Sequence, residues 1–454
     1  MTSTLTPNPM RPAAGTPRPY RFPSFTRRQL PNGLTVWLVP LTGSHLINVH
    51  LMADAGAAAE DEPHGGVAAL TAQLLVTGTK RLDASQFADA TERLGIEVSS
   101  ESSWDQARAA FQTLPQYLDE GLALLAEMIR EPRFDTVEFE RLKAERLADI
   151  LQLRADPGRL ADESFLEHAF AADTPYRRLS AGTPETVANL TRDDVIGFHD
   201  AHYRPGLGHL IIAGSFDEAG ALESVERHLG SWDGTGGGHR TIAPHARGGR
   251  RVVIVDRPES VQTELRVGHL GIDRYDPRYF PAIVMATIVG GMFWSRLNRR
   301  LREELGYTYG ARCGFDPRRS AGIFSASAAV QTEVTAPAIS ELVALLEAAR
   351  AAPFDEVELR EARDYQVGIF PLRFESTGGI AVAIEPIATY GLADDFWQTY
   401  RDRIEAVGEA EAHAAAVELI RPEELLILAV GDAAKVRESV EALNLGPIEV
   451  VAAP

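Results

Sequence analysis

Cysteine is nearly absent: Cys313 is the one thiol in 454 residues. A lone cysteine forms no internal disulfide, so nothing here points to an oxidising compartment. Long apolar runs are missing as well. No uninterrupted stretch reaches the roughly 20 residues that a membrane-spanning helix needs. The first 25 residues, MTSTLTPNPMRPAAGTPRPYRFPSF, lack the apolar centre of a signal peptide and read as a flexible tail. The expected location is cytoplasmic. Positive charge is also in short supply: 45 Lys and Arg face 64 Asp and Glu, a formal net charge of −19. Such a surface repels phosphate, which argues against nucleic acid and anionic membranes as partners.

What is present is an ordinary globular composition, 45% hydrophobic and 24% charged, in a chain too long for one core. The chain repeats its own grammar. LTVWLVPL at 34–41 and RVVIVDRP at 251–258 are both buried-strand patterns. HLIIAGSFDEAGALESVERHLG from His209 reads as a strand, a glycine turn and an amphipathic helix; LLILAVGDAAKVRESVEALNLG from Leu425 reads the same way. Both pairs are offset by about 216 residues, which predicts two homologous halves. The expected division is a tail at 1–25, a first domain at 26–230, a Gly-rich linker at 231–250 and a second domain at 251–454. Long helices alternate with strand runs such as ARAAFQTL and GIFSASAAVQ. The fold class is therefore α+β, each half a mostly antiparallel sheet covered by helices.

Three segments carry the chemistry. GGVAALTAQLLVTGT, residues 65–79, is a helix-like apolar run with no histidine and no carboxylate. FHDAHYRPGLGHLIIAG leads into the strand at His209, with His199 and His202 three apart. That spacing could bind a metal on a helix, but two ordinary polar helix positions account for it better, as a loop position does for His64. GGMFWSRLNRRLREELGYTYGARCGF, residues 290–315, is a basic-acidic helix closed by Gly306 and followed by an extended run.

In this order, and together with LPNGLTVWLVP, these segments resemble the pitrilysin/insulinase family of inverzincin peptidases. The likeness runs from Leu30 to the end, and it is nearest to bacterial members and to mitochondrial processing peptidase-like subunits. Active members carry His-x-x-Glu-His on the helix that GGVAALTAQLLVTGT resembles. Laid on that pattern, Ala69 and Gln73 stand at the two histidine positions and Ala72 at the catalytic glutamate. Asp149 falls at the third ligand and Leu142 at a supporting glutamate. Alanine has no donor atom and a glutamine amide is a poor zinc ligand, so no metal is expected in this chain. The corresponding segment of the second half, FPAIVMATIVGG, offers no ligand either.

The resemblance further implies that Arg302 and Tyr309, seven apart, bind the substrate backbone and stabilise the tetrahedral intermediate. Some bacterial members divide the zinc motif and the arginine-tyrosine pair between two chains. The leading expectation is therefore the non-zinc subunit of a heterodimeric zinc metallopeptidase. Its partner is a homologous zinc-bearing subunit, zinc is the partner's cofactor, and the substrates are peptides bound by strand addition. IFSASAAVQTE is a candidate edge strand for that, or else a plain strand whose small residues face a helix. A catalytically silent scaffold or peptide carrier is the alternative, and an autonomous peptidase with a displaced metal site ranks last.

Overall fold

The computed structural model describes residues 19–234, 242–243 and 245–454. Its twelve strands form two six-stranded sheets. The first holds β1 (Thr26–Gln29), β2 (Thr35–Pro40), β3 (Ile47–Ala53), β4 (Glu97–Ser102), β5 (Ala107–Thr113) and β6 (His209–Gly214), in the order β1-β2-β6-β3-β5-β4. The second holds β7 (Arg251–Asp256), β8 (Gln262–Gly271), β9 (Ala311–Pro317), β10 (Gly322–Gln331), β11 (Leu426–Gly431) and β12 (Ile448–Ala452), in the order β12-β7-β11-β8-β10-β9. An offset of about 216 residues carries β2, β3, β4, β5 and β6 onto β7, β8, β9, β10 and β11. In both sheets the pair β2/β6 or β7/β11 is parallel and the pairs around β3 or β8 are antiparallel. The repeat read from the sequence is thus a repeat of topology. The outermost strands β1 and β12 differ, one antiparallel and one parallel to its neighbour.

Apolar alternation accounts for one covered face of each sheet, but the central strands β3 and β11 are buried along their whole length. Both faces of each sheet must therefore be covered, and the halves cover each other. Helix Pro157–Ala169 of the first half packs on β8 and β11, and helix Thr377–Tyr390 of the second packs on β3 and β6. Polar contacts fix the exchange. Asn48 Nδ2 donates to Thr377 Oγ1 at 2.5 Å. His50 Nδ1 lies 2.7 Å from Glu385 Oε1, to which Arg108 Nη1 also donates at 3.0 Å. Arg319 bonds Asp54 through Nη1 and Asp105 through its backbone N–H.

The ends of the expected domains are only partly described. Residues 1–18, 235–241 and 244 lie outside the described residues. Packing starts within the segment read as a tail: Tyr20, Phe22 and Phe25 lie against the second half's core, Phe22 edge-on to Phe374 at 5.1 Å. One strand expectation is corrected. IFSASAAVQTE forms β10, which is paired with β8 on one side and β9 on the other and offers no free edge. Its alternating small residues accommodate the helix Thr335–Ala351 instead. The edge strands are β1 and β4 in the first sheet and β12 and β9 in the second. No single described helix is long and apolar enough to cross a membrane.

Candidate functional site

Helix Val67–Leu75 carries the positions where the family's metal ligands are expected. Gly66, at φ +96, starts it, and a Cβ there would lie 2.7 Å from the Ala181 carbonyl. Glu60 caps it: the carboxylate accepts from Gly66 N at 3.1 Å and Ala68 N at 2.7 Å, and Arg178 Nη2 donates to it at 2.6 Å. Burial pushes the Glu60 carboxyl up to about 7, against the pull of Arg178 and the two backbone donors.

The helix faces are apolar where ligands would stand. Ala72 is 0% exposed, and Ala69 is buried. The Gln73 Oε1 atom is buried and has no hydrogen-bond partner, as has the Thr71 hydroxyl. Asp149 sits on helix Thr136–Ala155, which packs against Val67–Leu75, and Leu142 of the same helix lies in the core with Val67, Leu70 and Leu74. One turn before Asp149 stands Arg146. Burial lowers its pKa and Asp149 opposes the shift, so the cation that Asp149 faces is a guanidinium. These residues do not fit a zinc ion: two alanines, an amide, a leucine and one carboxylate beside an arginine give no ligand set. Among the described residues no group of three or more His, Cys, Asp and Glu is arranged to hold a metal.

The remaining histidines have structural partners. His199 Nε2 lies 2.8 Å from the Ile129 carbonyl, its ring stacks on Tyr203 at 5.0 Å, and burial lowers its pKa. His202 stacks on Phe198 at 4.5 Å. His64 pairs with Asp61 ahead of the helix.

Arg302 and Tyr309 are placed differently. The segment expected as a basic-acidic helix forms a wide π-type helix, Asn298–Glu304, which carries Arg302. Gly306 ends it at φ +65, and Tyr307 N donates back to the Leu301 carbonyl at 2.8 Å. The chain then turns through Thr308–Gly310 into β9. Arg296 and Arg300 on this segment are spent on Glu358 and Glu341. Arg302 has only a 3.5 Å approach to its exposed neighbour Glu303, and its guanidinium lies 4.3 Å over the ring of Phe293. Tyr309 is 93% exposed. Phe293 and Trp294 are also exposed, at 52% and 48%, with rings 5.3 Å apart. Sequence reasoning singled out the arginine and the tyrosine but not this aromatic pair, although the run MFW inside a glycine-flanked turn was its signal. Chemically, the segment presents a forked cation backed by an aromatic ring and, seven residues on, an exposed phenol.

Comparison with known proteins follows the same division. A family model described as "Insulinase (Peptidase family M16)" matches residues 37–182, and one described as "Peptidase M16 inactive domain" matches residues 189–365. An uncharacterized zinc protease of Rickettsia bellii is 25% identical over 66% of this chain and 72% of its own length. A protein of Helicobacter pylori named a non-peptidase homolog is 24% identical over 80% of this chain and 84% of its own length. Among solved structures, a peptidase M16 inactive domain from Pseudomonas fluorescens superposes with a TM-score of 0.83 at 23% identity, covering 90% of this chain and 98% of the other.

Proposed function

The chain belongs to peptidase family M16, the insulinase family, and from that premise we propose that it is the non-zinc subunit of a heterodimeric zinc metallopeptidase. The observation that carries this reading is a contrast within one molecule. Of the expected metal-ligand positions of the first half only Asp149 carries a side chain that binds zinc, and it faces Arg146, while in the second half Tyr309 is exposed and Arg302 is partly exposed with only a 3.5 Å approach to its neighbour Glu303. A purely structural arginine would be expected to form close carboxylate hydrogen bonds, as Arg296 and Arg300 do; the 3.5 Å approach of Arg302 to Glu303 is longer than these.

In this reading the first half is a docking and covering domain. Arg302 and Tyr309 enter the active site of a homologous zinc-bearing chain and donate hydrogen bonds to the peptide carbonyl under attack. Donors placed ahead of the reaction stabilise the developing oxyanion more than the ground-state carbonyl, which is how they raise turnover. A permanently charged guanidinium suits that task better than an amine that can lose its proton.

Purified alone, the chain is expected to show no stoichiometric zinc and no peptide hydrolysis. Mixed with a zinc-bearing relative from the same cell, it should raise that relative's turnover. The alternative, a silent scaffold or peptide carrier, is supported by the likeness to a relative named a non-peptidase homolog. It is separated by the same experiment: the complex would form and bind peptide with no gain in rate.

A further inference from the structure

A cavity lies beside the segment of the second half that corresponds to helix Val67–Leu75. Applying the offset of about 216 residues, helix Val67–Leu75 corresponds to 283–291 and edge strand β4 to β9. In both halves the helix and the edge strand pack together. In the second half a cavity of about 280 Å³ opens beside that contact, lined by Ile283, Ala286 and Thr287 of the helix and by Gly314 and Phe315 of β9. The helix widens into π-type winding over Thr287–Gly291 at this point, a distortion that commonly accompanies functional sites.

The polar groups of the cavity are linked. Gln366 Nε2 donates to Thr287 Oγ1 at 2.8 Å, Arg373 Nη2 donates to Gln366 Oε1 at 3.3 Å, and the Arg373 guanidinium lies 5.8 Å from the centroid of Tyr400. Thr287 and Tyr400 are almost fully buried, and Arg373 reaches the cavity from the exposed side. Behind the wall stands a second cation. Arg274 is 7% exposed and stacks 4.1 Å over Tyr279, which lines the cavity, and 5.0 Å from Phe396. Neither arginine has a carboxylate within 4.0 Å among the described residues, and no Asp or Glu lines the cavity. On a chain of net charge −19, two unpaired guanidinium groups beside one cavity form a local site for negative charge.

We propose that this cavity binds a carboxylate carried on an apolar body. The C-terminal residue of an extended peptide and a free acyl amino acid share that chemistry. The linked donors take the carboxylate, and the Ile283, Ala286 and Phe315 walls take the apolar part. The volume is at the small end of ligand pockets, about 300–1,000 Å³, which suits one residue and not a large cofactor. The proposal does not rest on Arg302 and Tyr309 acting in a partner's site, because binding is read on the isolated full-length chain.

The test is calorimetric titration with four probes: a hexapeptide ending in leucine as the free acid, the same peptide as its C-terminal amide, N-acetylleucine, and inorganic phosphate. The free acid should bind, and the amide about tenfold or more weaker, because a charge-assisted pair is lost. Arg373→Gln should lose about the same factor, while Arg437→Gln, on the remote helix Ala433–Glu441, should lose nothing. N-acetylleucine binding as tightly as the peptide supports the site and assigns it to a free acid; a clear peptide advantage supports the site and assigns it to a peptide terminus. Equal binding of acid and amide, phosphate binding as well as the leucine acid, an unchanged Arg373→Gln, or no binding at millimolar concentration would each overturn the proposal.

Discussion

The helix Val67–Leu75 and the segment Asn298–Tyr309 have had opposite fates in one chain. On the proposed reading the first was repacked: alanines meet the core, Leu142 is buried in it, and Arg146 stands beside Asp149. The second keeps a forked cation and a phenol in solvent, where they contribute little to folding. Loss of a metal site frees a surface for burial, and burial stabilises, so such a site drifts toward core. Tyr309 is exposed and Arg302 partly so, and a role toward a partner is what the proposal would have them kept for.

The sharpest way to break this contrast is to remove the second member. In a complex with a zinc-bearing relative, Arg302→Ala or Tyr309→Phe is expected to lower turnover by roughly 10²–10³, the usual worth of one oxyanion donor. The thermal midpoint of the chain should move little, since Tyr309 is exposed and Arg302 partly exposed. Unchanged turnover in steady-state assays of both variants would reduce the pair to remnants.

A second experiment sets the two halves against each other through pH. His209 of the first sheet and His269 of the second are both held neutral by burial, each pushed down to about 4. Their hydrogen bonds agree with this: Trp37 Nε1 donates to His209 Nδ1 at 3.3 Å, and Arg421 N donates to His269 Nε2 at 2.9 Å, so each ring must keep an acceptor. Unfolded histidine titrates near 6.5. Between pH 6.5 and 4 the unfolded chain therefore binds more protons, and stability present above 6.5 is lost as the pH falls, by about 3 kcal/mol per ring. Glu60 works the other way. Its folded pKa lies above its unfolded value, so the folded chain binds more protons between about 7 and 4.5 and gains stability as the pH falls through that window. Two groups outweigh one. Urea unfolding should show a net loss from pH 7 to 4, and His209→Gln or His269→Gln should each flatten it.

Parts of this picture were legible in the residues and parts were not. The buried-strand patterns LTVWLVPL and RVVIVDRP and their common offset were enough for the two sheets, because a repeat of pattern is a repeat of packing. That Ala69 and Ala72 offer no metal donor was also legible, since alanine has no donor atom in any fold. Strand order was not. The small alternating residues of IFSASAAVQ say that one face meets a helix, but whether β10 is an edge depends on β8 and β9, some 60 and 10 residues away. The helix exchange between halves was equally hidden, since an amphipathic helix carries no label for the sheet it will cover. Nothing in the local sequence sets Arg146 apart from the other charges of its helix. The cavity with Arg373 escaped notice because it gathers residues from 272 to 400 that share no local pattern.

Restoring the first member tests whether that helix is merely missing ligands or has also been repacked. Ala69→His, Ala72→Glu and Gln73→His with Asp149→Glu put back the family's donor set. Because Ala72 has no free volume around it, the fourfold variant should be destabilised by about 1–3 kcal/mol, the usual cost of overpacking. It should also remain poor in zinc by metal analysis, because the Arg146 guanidinium beside position 149 disfavours a second cation. Replacing Arg146 by alanine in that background should raise the zinc content. Full zinc loading of the fourfold variant with Arg146 in place would show that the pocket had never closed.

The smallest effect concerns the support under Arg302. Phe293 places its ring 4.3 Å beneath the guanidinium and is itself half exposed, so it contributes little to the core. A cation over an aromatic face at an exposed site is worth about 0.5–1 kcal/mol. If that energy is spent on holding the fork in one orientation, Phe293→Ala should lower the turnover of the complex by roughly two- to fivefold, with KM little changed and the thermal midpoint unmoved. Phe293→Leu, which keeps apolar bulk but removes the π face, should behave like the alanine variant if the quadrupole matters and like the parent if bulk alone does. Equal turnover of all three proteins would mean that Arg302 orients itself on the substrate, and that the aromatic pair serves neither the arginine nor the reaction.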